Sequence, residues 1–172
     1  MRKFLFFVAI AVIAVLPGYV MAQNTDNVTA TASAKILTAI DLSKITDLHF
    51  GTMVSTSSEG TCTVSATEES RTQTGGVTLL TQTPTFTRAY FEVEGDNSAT
   101  YSITLPGNGT VTISDGMNDP MSIDDFTHSA GETPALDVSG AGSFYVGATL
   151  TVPANQPAGL YAGEFTVTVT YN

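Results

Sequence analysis

From Val28 to the end of the chain, apolar and polar positions alternate. A period of two places successive side chains on opposite faces of a strand, whereas a helix repeats every 3.6 residues. Val28, Ala30, Ala32, Ala34, Ile36 and Ile40 share one parity, with Thr29, Thr31, Ser33 and Lys35 between them. Threonine is a poor helix former, so this segment predicts a long strand. Further strands are predicted at 48–50, 60–67, 77–80, 86–94, 101–105, 111–113, 144–150 and 161–171. Turn residues separate them, among them Gly51, Gly75-Gly76, Pro106-Gly107-Asn108-Gly109 and Pro153. Many short strands without an amphipathic helix predict an all-β fold, an antiparallel β-sandwich of immunoglobulin-like type or a Greek-key barrel. Residues 115–142 break the pattern and are expected to form an irregular surface excursion, with a short helix near 121–126.

The clearest alternation lies at the C-terminus. Tyr161, Phe165, Val167, Val169 and Tyr171 form an apolar face, opposed by Glu164, Thr166, Thr168 and Thr170. Burial of four such side chains would match the net stability of a typical domain, which marks this as a central strand.

The first 22 residues differ from the rest. Arg2 and Lys3 precede thirteen consecutive apolar residues, Phe4 to Leu16, then Pro17-Gly18 and Val20-Met21-Ala22. That is the layout of a cleavable secretory signal, and the run is shorter than the ~20 residues needed to span a bilayer. Residues 1–22 are therefore expected to be removed, leaving 23–172 as a single exported domain that does not insert in the membrane. Its destination is the periplasm, the cell surface or the medium. Without Arg2 and Lys3 the chain has four basic residues against 16 acidic ones. That sign excludes phosphate-backbone recognition, so no nucleic-acid partner is expected. Cys62, the single cysteine, shares the parity of Val64 and Ala66 and is expected in the core rather than in an intermolecular disulfide.

Two resemblances follow from these residues. Gly159 stands fourteenth from the end and Tyr171 next to last, joined by alternating apolar positions. This resembles the terminal strand of chaperone–usher pilins, which pairs with a chaperone or with a neighbour's N-terminal donor strand. The run Val28, Ala30, Ala32, Ala34 and Ile36 has the form of a donor segment or of the protein's own first strand. More broadly, Leu48-His49-Phe50-Gly51, Gly60-Thr61-Cys62-Thr63-Val64, Val146-Gly147-Ala148-Thr149-Leu150 and the stretch from Gly159 to Tyr171 resemble a secreted bacterial family catalogued as domain of unknown function 4402. That family is similar in outline to spore-coat-protein-U and pilin-like subunits. The resemblance implies a small exported β-sandwich, fimbria-like, with no established activity. The chain departs from many pilins in lacking their paired cysteines.

Candidate strand-pairing residues are thus Val28, Ala30, Ala32, Ala34, Ile36, Gly159, Phe165, Val167, Val169 and Tyr171. The partners they imply are further copies, another surface subunit or a chaperone. The rival reading is a monomeric binding module for a glycan or surface ligand, with Tyr90 and Tyr145 on the polar parity of their strands. Catalysis is not expected. The two histidines, His49 on a strand and His128 in the excursion, lie far apart in sequence, and there is no Gly-x-Ser-x-Gly elbow. No cofactor or metal is expected either. Asp115, Asp119, Asp124 and Asp125 offer oxygen ligands, but out of EF-hand order and among residues that turns themselves require.

Overall fold

The computed structural model describes residues 25–172; the expected signal peptide, 1–22, lies outside them. The chain divides into two units, Met1–Lys35 and Ile36–Asn172. In the first, residues 25–35 carry no strand and are exposed. The second is all-β and antiparallel, with no helix among the described residues. Its strands are β1 (Asp41–Thr46), β2 (His49–Phe50), β3 (Met53–Val64), β4 (Arg71–Leu79), β5 (Phe86–Thr87), β6 (Ala89–Glu94), β7 (Tyr101–Thr104), β8 (Val111–Ile113), β9 (Met121–His128), β10 (Ala141–Val152) and β11 (Thr168–Tyr171).

β10 organises the unit. Its first half pairs with β6, from Ala141↔Glu94 to Val146↔Ala89, and its second half with β3, from Ala148↔Val64 to Val152↔Gly60. β9 takes the opposite edge, and β1 and β4 extend the sheet outward from β6 and β3. At the changeover sits Gly147, where a Cβ would collide with the Val64 carbonyl, so only glycine lets the strand pass. Phe144, Val146, Ala148, Leu150 and Val152 are all buried, as the alternation requires. The two halves serve two clusters. Phe144 and Val146 pack with Ala89, Phe91, Val93, Tyr101 and Leu136. Ala148, Leu150 and Val152 pack with Phe50, Cys62, Val64, Val77, Val111, Met121 and Ile123.

Three expectations fail. The long N-terminal strand is absent: among the described residues none before Asp41 lies in a strand, and Val28 and Ile36 are 90% and 93% exposed. Alternation defines a face, but a strand exists only where a second backbone meets its hydrogen bonds. The excursion is not irregular throughout, because 121–128 form β9 instead of a helix. Met121 and Ile123 are buried with period two, between β8 and β10. Nor is the terminal stretch central. Only Thr168–Tyr171 form a strand, paired with β7 alone, and Phe165, Val167, Val169 and Tyr171 are half-buried.

Cys62 is in the core, fully buried, with its thiol 3.9 Å from the Phe50 carbonyl. Burial pushes its pKa up to about 11, and the nearby Arg71 charge offsets this only in part. A raised thiol pKa favours the fold in its neutral form. That stabilisation is complete below the ordinary value of 9.0 and is lost as pH rises through about 11. Iodoacetamide at pH 8 should therefore leave Cys62 unmodified in the native protein and alkylate it fully in denaturant. Rapid native labelling, read by mass spectrometry, would contradict this packing.

Candidate functional site: an apolar groove between two unpaired strand edges

β1 runs from Asp41 toward Phe50, and the terminal stretch runs back from Gln156 to Tyr171. Among the described residues, β1 pairs only with β6. The terminal stretch makes its backbone–backbone bonds on the opposite side: Ala162 exchanges bonds with Ser114 at 2.9 and 3.0 Å, and β11 pairs with β7. Each therefore has one edge without backbone partners, and the two edges face a common groove.

The groove has a volume of about 1290 Å³. Leu48, Phe50, Met53, Phe91, Met121, Ile123, Leu150 and Val152 form its floor and one wall; the stretch from Gln156 to Val167 forms the other. A shallower hollow of about 310 Å³ lies on the far side of that stretch, where the loop between β7 and β8 pulls away from it.

Both walls are fixed at their ends. At one end the Gln156 amide donates to the Asp119 carbonyl (2.7 Å) and meets the Tyr161 hydroxyl (3.0 Å), while the Ser55 hydroxyl donates to the Gln156 carbonyl (2.7 Å). At the other, the Tyr171 hydroxyl donates to the Thr38 carbonyl (2.9 Å) and accepts from the Asp96 amide (2.6 Å). A Cβ at Gly95 would meet that hydroxyl, so a larger residue there would have to displace the Tyr171 side chain. Ile40, Leu42, Val169 and Tyr171 all pack on the same cluster, so the first and last strands close together at this end and part beyond it. Arg71 braces the turn after β2, donating to the carbonyls of Phe50 (2.5 Å), Thr52 (3.3 Å) and Leu80 (2.7 Å), with Phe86 beneath its guanidinium.

The structure thus gathers Gly159, Phe165 and Val167 on one groove wall, with Val169 and Tyr171 at the closed end. Val28, Ala30, Ala32 and Ala34 stand exposed in the other unit, and Ile36 at the very start of this one. The groove's far wall, Leu48 to Met53, was missed as a site. Its short apolar run reads as core from sequence alone, because which strand edges stay open is decided by topology.

The signature of the family described as domain of unknown function (DUF4402) matches residues 40–171, which takes in every strand from β1 to β11. The chain belongs to this family. Neither a curated protein nor a solved structure matches it. Within the family domain, the other candidate chemistry resolves into local structure. His49 accepts a hydrogen bond from the Gly51 amide at 2.8 Å, and His128 lies on β9 against Phe144. Asp115 caps its own turn through the amides of Met117 and Asn118, and those bonds, Asn118 first, hold its carboxyl below the ordinary range. Asp124 and Asp125 bond Gly109 and Asn108. Among the described residues no group of three His, Cys, Asp or Glu is placed to hold a metal ion. The Tyr145 ring carries the Arg88 guanidinium 3.8 Å from its centroid and Tyr90 at 4.8 Å, so its contacts are met by neighbouring side chains.

Replacing Tyr171 by Phe keeps the ring and removes both hydroxyl bonds. The expected cost is about 1 kcal/mol, with faster hydrogen exchange at the Asp96 amide. An unchanged melting temperature and exchange rate would show that the closed end does not depend on that hydroxyl.

Proposed function

We propose that this protein is an exported structural or adhesive surface subunit, fimbria-like, that works by β-strand pairing. In this reading the folded unit is an immunoglobulin-like, pilin-like β-sandwich short of one strand, and the groove is the vacant place. The observation that carries it is the pair of unpaired edges flanking an apolar floor. Exposed edges are templates for another chain, and proteins ordinarily cover or blunt them. An inserted strand would bond both edges at once, while its alternate side chains entered the groove; main-chain bonds supply affinity and side chains set register.

Size supports a chain segment over a small ligand, because small-molecule sites hold roughly 300–1,000 Å³. The segment Val28 to Ile36 has the matching pattern: five apolar residues on one parity and polar residues on the other, and it lies outside the strands β1 to β11. Its composition is unsuited to exposure as a structureless tail, since Val28 and Ile36 contribute apolar surface with nothing covering it. This reading assigns no catalysis and no cofactor, and places the protein in the periplasm, on the cell surface or outside the cell.

Sedimentation of the mature chain, residues 23–172, against a chain beginning at Ile36 tests the proposal. The mature protein should form larger species that grow with concentration. The shortened chain should be monomeric and should gain thermal stability from a synthetic peptide of residues 25–38. Monomers in both cases, indifferent to the peptide, would remove strand pairing as the function.

A further inference from the structure

The geometry points to a second site on the far side of the terminal stretch, where the hollow beneath the β7–β8 loop binds a neutral sugar ring. It gives the adhesive part of the reading above a ligand. The hollow is complete in a single chain, so the site stands whether or not strands pair.

The hollow follows from a mismatch in chain length between two fixed points. At one end Ala162 is bonded to Ser114; at the other Thr168 lies opposite Thr104 in the ladder of β11 and β7. Six residues separate these points along the terminal stretch, but ten along the side that runs from β7 through β8. Six residues in strand conformation cover about 20 Å, so the longer side has to bow outward. Pro106 helps set where it leaves, because it has no N–H with which to continue the ladder past Thr104.

The bow is tied back, away from the stretch. At its tip Asn108 and Asp125 bond reciprocally, Nδ2 to Oδ1 at 2.9 Å and the Asp125 amide to the Asn108 Oδ1 at 2.8 Å. The Gly109 amide donates to Asp124 at 2.6 Å, and the Thr110 hydroxyl to the Gly107 carbonyl at 2.6 Å. A ligand thus meets a site already shaped and bears little cost of ordering a loop. The volume of about 310 Å³ lies at the foot of the range of small-molecule sites. Because backbone pairing resumes at both ends, an extended peptide has no path through, whereas a compact ligand does.

The lining selects the chemistry. Glu164, Thr166 and Thr168 share the polar parity of the stretch, and Thr104 stands opposite Thr168. Among the described residues these four side chains have no hydrogen-bond partner, and the backbone groups of Glu164 and Thr166 have no backbone partner. Hydroxyls that both donate and accept, beside a carboxylate that accepts, complement the hydroxyls of a sugar. Leu105 and Pro106 offer an apolar edge for the C–H face of its ring. No Lys, Arg or His lines the hollow, so the Glu164 charge repels phosphate, sulfate and acidic sugars. One carboxylate is too few for a cation site.

Contacts this few and this exposed give an affinity on the order of millimolar per subunit. Repetition of the site along an assembly would raise it by avidity.

Saturation-transfer NMR on the mature chain, read from the sugar protons, tests the site at any assembly size. Glucose, galactose and mannose are titrated, each beside its uronic acid. At least one neutral sugar should give a saturable signal that its uronic acid does not. The double variant Thr166→Val, Glu164→Gln should bind about tenfold more weakly, with an unchanged melting temperature. Should it melt lower, Glu164→Gln alone, at an exposed position, carries the comparison.

No saturable signal with any of the three sugars would overturn the inference. Equal binding of a sugar and its uronic acid would overturn the neutral ligand, and full binding by the variants would put the sugar elsewhere on the protein. None of these results bears on strand pairing, which sedimentation decides.

Discussion

Backbone N–H and C=O groups along a strand edge must bond something, and the apolar side chains beside them must be covered. In this protein the unpaired edges of β1 and of the terminal stretch flank one apolar groove. Where the first and last strands meet, at Tyr171, Thr38 and Asp96, they close over Val169, Ile40 and Leu42. Past that point they separate, and the edges that should have paired look onto Leu48, Phe50, Phe91 and Phe165 instead. The groove thus lies where the two walls part, with an apolar floor between them.

That opening is tolerated because the rest of the unit does not depend on it. β10 is paired along both edges and feeds both clusters, so the most buried residues lie on strands that need no guest. Cross-strand threonines add to this on the solvent side, Thr63 with Thr149 at 2.9 Å and Thr61 with Thr74 at 2.7 Å. Pairs of that kind contribute a few tenths of a kcal/mol each, up to about 1. The groove's walls are in turn braced from outside, by Arg71 at the turn after β2 and Gln156 at the start of the terminal stretch. A guest strand would then enter a site that is already formed and would bear little of the cost of ordering it.

Much of this was legible in the sequence. Alternation correctly marked β6, β7, β8 and β10, the parity of Cys62 put it in the core, and short motifs along the chain pointed to the family that the match over 40–171 shows. The errors share one cause. Periodicity reports which face of a segment is apolar and is silent on what it pairs with. Residues 28–40 alternate as cleanly as any strand but have no partner ladder, whereas 121–128, scattered with Asp and Ser, do have one, in β8 and β10. The terminal stretch read as central because four apolar side chains on one face suggest full burial; with one edge open they are half-covered. The groove could not be read at all, since its walls are more than a hundred residues apart in the chain.

Among the described residues the amides of Gly163, Phe165 and Val167 have no backbone partner, and all three residues line the groove. Hydrogen exchange at these three amides in the monomeric chain beginning at Ile36 tests the open edge most directly. They should exchange at near-unprotected rates, while the amides of Val146 to Leu150 in β10 stay protected. Protection of Gly163, Phe165 and Val167 comparable to that of β10 would mean that the edge is already paired, and that no strand is missing.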